Sequence, residues 1–148
     1  EIYIPLASAY LMLDLYEDAL AAAGKAVQYP QKPKEYVHIY AHCEIIAGSL
    51  DKAAVALNEL LAALPDYKPA LFMSAVINCL SGKKAQAEEI FQSLKMDHVE
   101  ITPMLNRIAR QLQSHSRKPE ALTVLKAATE FGLHDEETTG LLGAFVVG

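Results

Sequence analysis

His38 and His42 are four residues apart, a spacing that sets two imidazoles on one helical face and could chelate a metal, with Cys79 or His98 as a further ligand. HExxH is absent, so the pair carries no metalloprotease signature. Both histidines are expected to line a surface or lie partly buried, with no metal. Ser81-Gly82-Lys83-Lys84 has the Ser-x-x-Lys spacing of one class of serine nucleophile, but its companion motifs are missing and the stretch reads as a turn. Gly82-Lys83 lacks the upstream glycine of a phosphate loop, and glycines cluster nowhere else, so nothing implies a nucleotide or any other cofactor. Between Ile101 and Pro119 there is no acidic residue, only Arg107, Arg110, Arg117 and Lys118. These four read as a solvated basic surface or as a patch that steers an acidic partner. With a net charge of −5 and a pI near 5.5, nucleic acid is not an expected partner. No constellation for catalysis emerges, and the chain is not expected to be an enzyme.

The elements that carry these residues follow from composition and period. The chain has 148 residues, 52% of them hydrophobic and 21% charged, enough apolar surface for a continuous core. Ala19, Ala53, Ala87 and Ala121 recur at a step of 34 residues, and Ala7, Ala41, Ala75 and Ala109 keep the same step twelve residues earlier. Small residues at such a period mark stacked helical hairpins that approach closely at each rung. Asp14, Gly48, Gly82 and Ser116 share a further place in this frame, where a tight corner between antiparallel helices must be made.

Five segments follow in order: 1–33, 34–67, 68–101 and 102–134 as four hairpins, and 135–148 as a partial fifth repeat or a capping helix. In the first, Leu6, Ala7 and Tyr10 share a face of one helix, entered near Pro5, and Ala19, Ala23 and Ala26 a face of the next; Pro30 and Pro33 close it. The second predicts helices at Tyr36–Ala47 and Asp51–Leu64, with Ser49 as N-cap and Pro65 as the stop. In the third, Pro69 opens a helix and Ala85–Leu94 returns it. Pro103 is expected to open the fourth, with Leu105, Ile108, Ala109 and Leu112 inward, a turn at Ser114–Ser116 and a second helix from Pro119 to about Gly132. Leu142 and Gly143 stand 34 residues beyond Ile108 and Ala109, so a further first helix is expected from Asp135. Lacking an initiator methionine, the chain is expected to be an excised fragment or a processed product.

No apolar run approaches the roughly 20 residues that span a bilayer, so membrane insertion is not expected. Cys43 and Cys79 lie two places out of register in the 34-residue frame, about 200° apart around their helices at 100° per residue, and are not expected to pair. Two reduced cysteines fit a cytoplasmic setting.

The pattern resembles the tetratricopeptide repeat family. Leu6-Ala7 with Tyr10, Ala19, Ala23 and Ala26 match its unit best; Gly48, Ala53, Leu57, Leu60 and Pro65 match in the second segment, Gly82, Ala87, Phe91 and Leu94 in the third, and Ala109, Ala121, Leu125 and Ala128 in the fourth. The likeness implies an all-α fold, a right-handed superhelical solenoid of antiparallel helix hairpins, acting as a non-catalytic scaffold for protein–protein interaction such as an adaptor, chaperone or assembly subunit. It also implies a concave groove lined by first helices: Ile4, Ser8, Leu11 and Met12; His38, His42, Ile45 and Ile46; Phe72, Val76, Cys79 and Leu80; and Asn106, Arg110, Gln113 and Ser114. Three of these sets are mainly apolar. The expected partner is therefore a peptide or helix with apolar anchors, whose carboxylate or carbonyl oxygen meets Arg110. The family's clamp for acidic C-terminal tails needs Lys and Asn where Ile4 and Ser8 stand, so that ligand is disfavoured. Two alternatives stay open: a regulatory or targeting domain of a larger protein or enzyme, and a homo-oligomer whose copies fill the groove.

Overall fold

A computed structural model describes residues 15–26 and 34–147. Within them the fold is all-α, with no strand. The helices are α1 (Tyr16–Ala26), α2 (Lys34–Ala47), α3 (Leu50–Ala63), α4 (Lys68–Leu80), α5 (Lys84–Ser93), α6 (His98–Ser114), α7 (Lys118–Glu130) and α8 (Glu136–Val147), with a 3₁₀ turn at Lys95–Asp97 between α5 and α6. No described helix is long and apolar enough to cross a membrane. The chain forms two compact units, Glu1–Met73 and Ser74–Gly148, and the division falls inside α4.

The corners explain why the helices stop where they do. Gly48, Gly82 and Ser116 have φ of 89°, 79° and 61°, the left-handed region in which a helix ends by folding its last amides back onto its own carbonyls. The Ser49 N–H reaches the Glu44 carbonyl at 2.8 Å, Lys83 that of Asn78 at 2.8 Å, and Arg117 that of Leu112 at 2.7 Å. Inside each of these bonds a shorter one closes the turn: Gly48 to Ile45, Gly82 to Cys79 and Ser116 to Gln113. The next helix then starts the same way each time. Ala19, Ala53, Ala87 and Ala121 donate their amides to the carbonyls of Leu15, Ser49, Lys83 and Arg117 at 2.9–3.2 Å. Every one of these hydrogen bonds recurs at the 34-residue step, so the period is a property of the backbone as well as of the alanines.

In the first unit α2 packs against both α1 and α3. Ala19 and Ala22 of α1 and Ala53, Leu57 and Leu60 of α3 are buried, the latter at the four-then-three spacing that gives a helix one apolar stripe. In the second unit α6 packs on α7 and α8, while α7 also meets α5 and α8. Ala87, Phe91, Leu105, Ile108, Ala109, Leu112, Ala121, Leu125 and Ala128 are fully buried there. The rung alanines Ala19, Ala41, Ala53, Ala75, Ala87, Ala109 and Ala121 are likewise sealed from solvent. The expected rung at Ala7, the corner at Asp14 and the prolines Pro5, Pro30 and Pro33 lie outside the described residues.

Two local expectations are corrected. The fourth hairpin's first helix begins at His98 rather than at Pro103, which sits inside α6. Proline removes one amide there, the one that would bond the Val99 carbonyl, and both Pro103 and Val99 are exposed, so water can satisfy that carbonyl. Ser49 does occupy the N-cap position of α3, but its side chain makes no capping hydrogen bond. Pro69 and Pro119 sit in the first turns of α4 and α7, where a missing amide costs nothing.

Candidate functional site

The groove candidates on α2 and α4 are held mostly below the surface. Ile45, Ile46, Phe72 and Val76 have no solvent exposure, and His42 and Cys79 are also buried. His38 and Leu80 are half-buried, and Gln113 and Ser114 are exposed. On α2, which packs against both α1 and α3, residues 41–46 are buried without a break. Ile4, Ser8, Leu11 and Met12 lie outside the described residues.

Polar groups on α2 are tied together locally. The Tyr40 hydroxyl donates to Glu44 Oε2 at 2.7 Å, one turn away, and Glu44 is itself buried. Burial, together with the bond to Glu44 and its charge, pushes the Tyr40 phenol up to about 12. Burial and the Glu44 carboxylate likewise push the Cys43 thiol up to about 12. Burial first, and then Glu88, raise the Cys79 thiol to about 11. Both cysteines are free thiols, and both are protonated at neutral pH, the opposite of an activated nucleophile. Among the described residues no three His, Cys, Asp or Glu side chains gather into a group that could hold a metal. Ser81 and Lys84 are exposed at the α4–α5 corner, where Lys84 Nζ lies 3.9 Å from Glu88.

On α6 the polar candidates meet α8. Asn106, only 1% exposed, donates from Nδ2 to Asp135 Oδ1 at 3.0 Å and accepts at Oδ1 from the Thr138 hydroxyl at 2.6 Å. Asp135 caps α8: its Oδ1 accepts the Thr138 N–H at 3.0 Å, and its own N–H donates back to Thr138 Oγ1 at 3.1 Å. That reciprocal pair is a capping box with threonine at its third position. The Thr138 backbone bond is the main influence holding the Asp135 carboxyl below its ordinary value, with the Asn106 and Thr138 side chains adding to it against a smaller opposing effect of burial. Arg110 pairs with Glu137 on the first turn of α8, and Arg117 lies 3.5 Å from Glu120. The stretch without acids in sequence is therefore not without acids in space.

Asp135, Glu137 and Thr138 were not among the residues expected to matter. The Asp-x-x-Thr spacing at a helix start is the signal that points to the cap. Among the described residues the most exposed large apolar side chains are Met96 and Val99, 89% and 77% exposed, at the start of α6. On α8, Gly140, Gly143 and Ala144 are exposed. No protein-family model matches the chain, and no match is found among curated proteins or solved structures.

Proposed function

We propose that the protein is a non-catalytic protein–protein interaction scaffold, its tetratricopeptide-like hairpins stacked as a right-handed solenoid that takes a peptide or helix of a partner along its first helices. The observation that carries this reading is one corner geometry recurring at a 34-residue step, at Gly48, Gly82 and Ser116. A chain that repeats one hairpin builds an extended surface rather than a single cleft, and extended surfaces of this kind serve binding.

The buried positions Ile45, Ile46, Phe72 and Val76 act in this proposal as the rigid floor of each first helix. A partner reaches the first helices through side chains that keep surface, namely His38, Leu80 and Gln113. Arg110 would exchange Glu137 for an acidic group of the partner.

A panel of synthetic peptides with apolar anchors, titrated against the wild type and against Leu80→Glu and Gln113→Glu, tests this. A saturable binder is expected, weakened about tenfold, or about 1.4 kcal/mol, by each substitution at an unchanged thermal midpoint. Binding insensitive to both changes would overturn the proposal, as would a panel without a binder. Aspartate at Phe72 or Ile46 cannot serve as the test, since a carboxylate there would be buried without a partner and would unfold the chain.

A further inference from the structure

The 3₁₀ turn between α5 and α6 carries the most exposed sulfur atom among the described residues. Leu94, just before the turn, is buried, and the Asp97 amide closes the turn onto the Leu94 carbonyl at 2.9 Å. The stem of Lys95 lies over the corner that ends α7, where a Cβ placed on Gly132 would meet Lys95 Cγ at 3.5 Å. His98 Nδ1 lies 3.3 Å from the Lys95 carbonyl oxygen. With Leu94 held in the core and the Lys95 stem laid on the corner, Met96 keeps 89% of its surface in solvent. Burial of a methionine normally stabilises a fold, and Met96 contributes almost none of that packing.

The other described sulfur atoms are placed the opposite way. Cys43, Met73 and Cys79 are buried, and Met104 is half-buried. Cysteine ordinarily outruns methionine toward a peroxide because its thiolate is the nucleophile. Here both thiols are held protonated, Cys43 raised to about 12 and Cys79 to about 11, so that near neutral pH fewer than about one in a thousand is a thiolate. A thioether needs no ionisation and reacts wherever the oxidant reaches it. We propose that Met96 is a site of reversible peroxide oxidation, a surface thioether that takes up one oxygen ahead of both cysteines without disturbing the fold. In the step, the Met96 Sδ lone pair attacks one oxygen of hydrogen peroxide. The S–O bond forms as the O–O bond breaks, and the departing hydroxide takes the proton of the attacked oxygen and leaves as water. Sulfur is oxidised to the sulfoxide and the peroxide is reduced. A sulfoxide is polar and disrupts a core when it forms in one; at Met96 it forms in water. Its removal takes a methionine sulfoxide reductase and a dithiol, which becomes a disulfide while the oxygen leaves as water. The exposure that admits the peroxide also admits the enzyme.

The oxidation does not depend on the interaction scaffold, and its test needs no partner. The full chain is treated with hydrogen peroxide at neutral pH beside a blocked free methionine, and each sulfur-bearing peptide is followed by mass after digestion. Met96 is expected to gain one oxygen within about twofold of the rate of the blocked methionine, and at least about tenfold faster than Cys43, Cys79 or Met73. The chain oxidised at Met96 should keep its thermal midpoint, and sulfoxide reductases of both epimer specificities with dithiothreitol should return the residue to the thioether. In guanidinium, where burial no longer protects the thiols, both cysteines should overtake Met96. Met96→Gln, which puts a polar side chain at the same place, should leave the midpoint unchanged. Native oxidation of either cysteine as fast as Met96 would overturn the proposal, as would a rate at Met96 no greater than at Met73. A midpoint lowered by the oxidation or by Met96→Gln would do the same, because the side chain would then be packed, and so would a sulfoxide that the reductases fail to remove.

Discussion

Ser116 is the one described residue other than glycine with positive φ, at 61°, and it sits where Gly48 and Gly82 make the same corner. A Cβ in the left-handed region costs about 1–2 kcal/mol, part of which glycine returns through its greater freedom in the unfolded chain. Ser116→Gly is accordingly expected to stabilise the protein by about 1 kcal/mol, read as a higher midpoint in urea. The reverse experiment, Gly82→Ala, should destabilise through φ alone, because a Cβ there meets nothing within 4 Å. The thiols give a second test at this scale. With Cys43 raised to about 12 and Cys79 to about 11, a disulfide reagent at pH 8 should find almost no thiolate. Both should react slowly in the native protein and rapidly in guanidinium; fast native labelling of either would show that its burial is wrong.

Helices were legible in the sequence, but their surroundings were less so. The period of the alanines and the prolines at Pro69 and Pro119 placed α2 to α5, α7 and α8 to within a few residues, because capping chemistry is local. The start of α6 was missed since a proline inside an exposed helical turn is tolerated when water takes the orphaned carbonyl. Which apolar residues would be surface was not legible either: Ile45 and Ile46 have no solvent exposure, on a helix that packs against both α1 and α3. Nor does any local pattern join Asn106 to Asp135 and Thr138, 29 and 32 residues away. That junction predicts how α8 is held. Asp135→Ala removes a cap of about 1 kcal/mol and leaves the buried Asn106 amide short of its acceptor, about 1–3 kcal/mol more. Asp135→Asn keeps an acceptor oxygen and should cost little. Because the folded carboxyl titrates below its ordinary 3.8, its contribution is present above that pH and is lost as pH falls through the lower folded value. Acid titration followed by amide exchange in α8 should show α8 loosening below pH 3.8 in the wild type, with that step absent from Asp135→Asn.

For the whole molecule, the 34-residue step makes a stronger demand than any one contact. If a single packing rule is repeated, its violation must carry a similar penalty wherever it is made. Ala53, Ala87 and Ala121 are each fully buried and each begins its helix with the same backbone bond, to Ser49, Lys83 and Arg117. Leucine at any of the three adds volume where two helices approach closely, and overpacking of this kind costs about 1–3 kcal/mol. Ala53→Leu, Ala87→Leu and Ala121→Leu are therefore expected to lower the unfolding free energy by amounts alike within about 1 kcal/mol, the usual context scatter of such changes. Val55→Leu, at an exposed position of α3, should change it by less than about 0.5 kcal/mol. The comparison is made by urea unfolding followed by circular dichroism, fitted with a common m-value where the transitions allow it. A chain whose hairpins stack should also couple the sites. Ala53→Leu would then broaden the transition, because loss of one hairpin in an array is shared only with its neighbours, whereas a chain with one undivided core would keep a single sharp transition for all three variants. Equal penalties with broadened transitions fit the repeat as the unit of folding; one large penalty beside two negligible ones would mean that the alanine ladder is a pattern of sequence without a common packing cause.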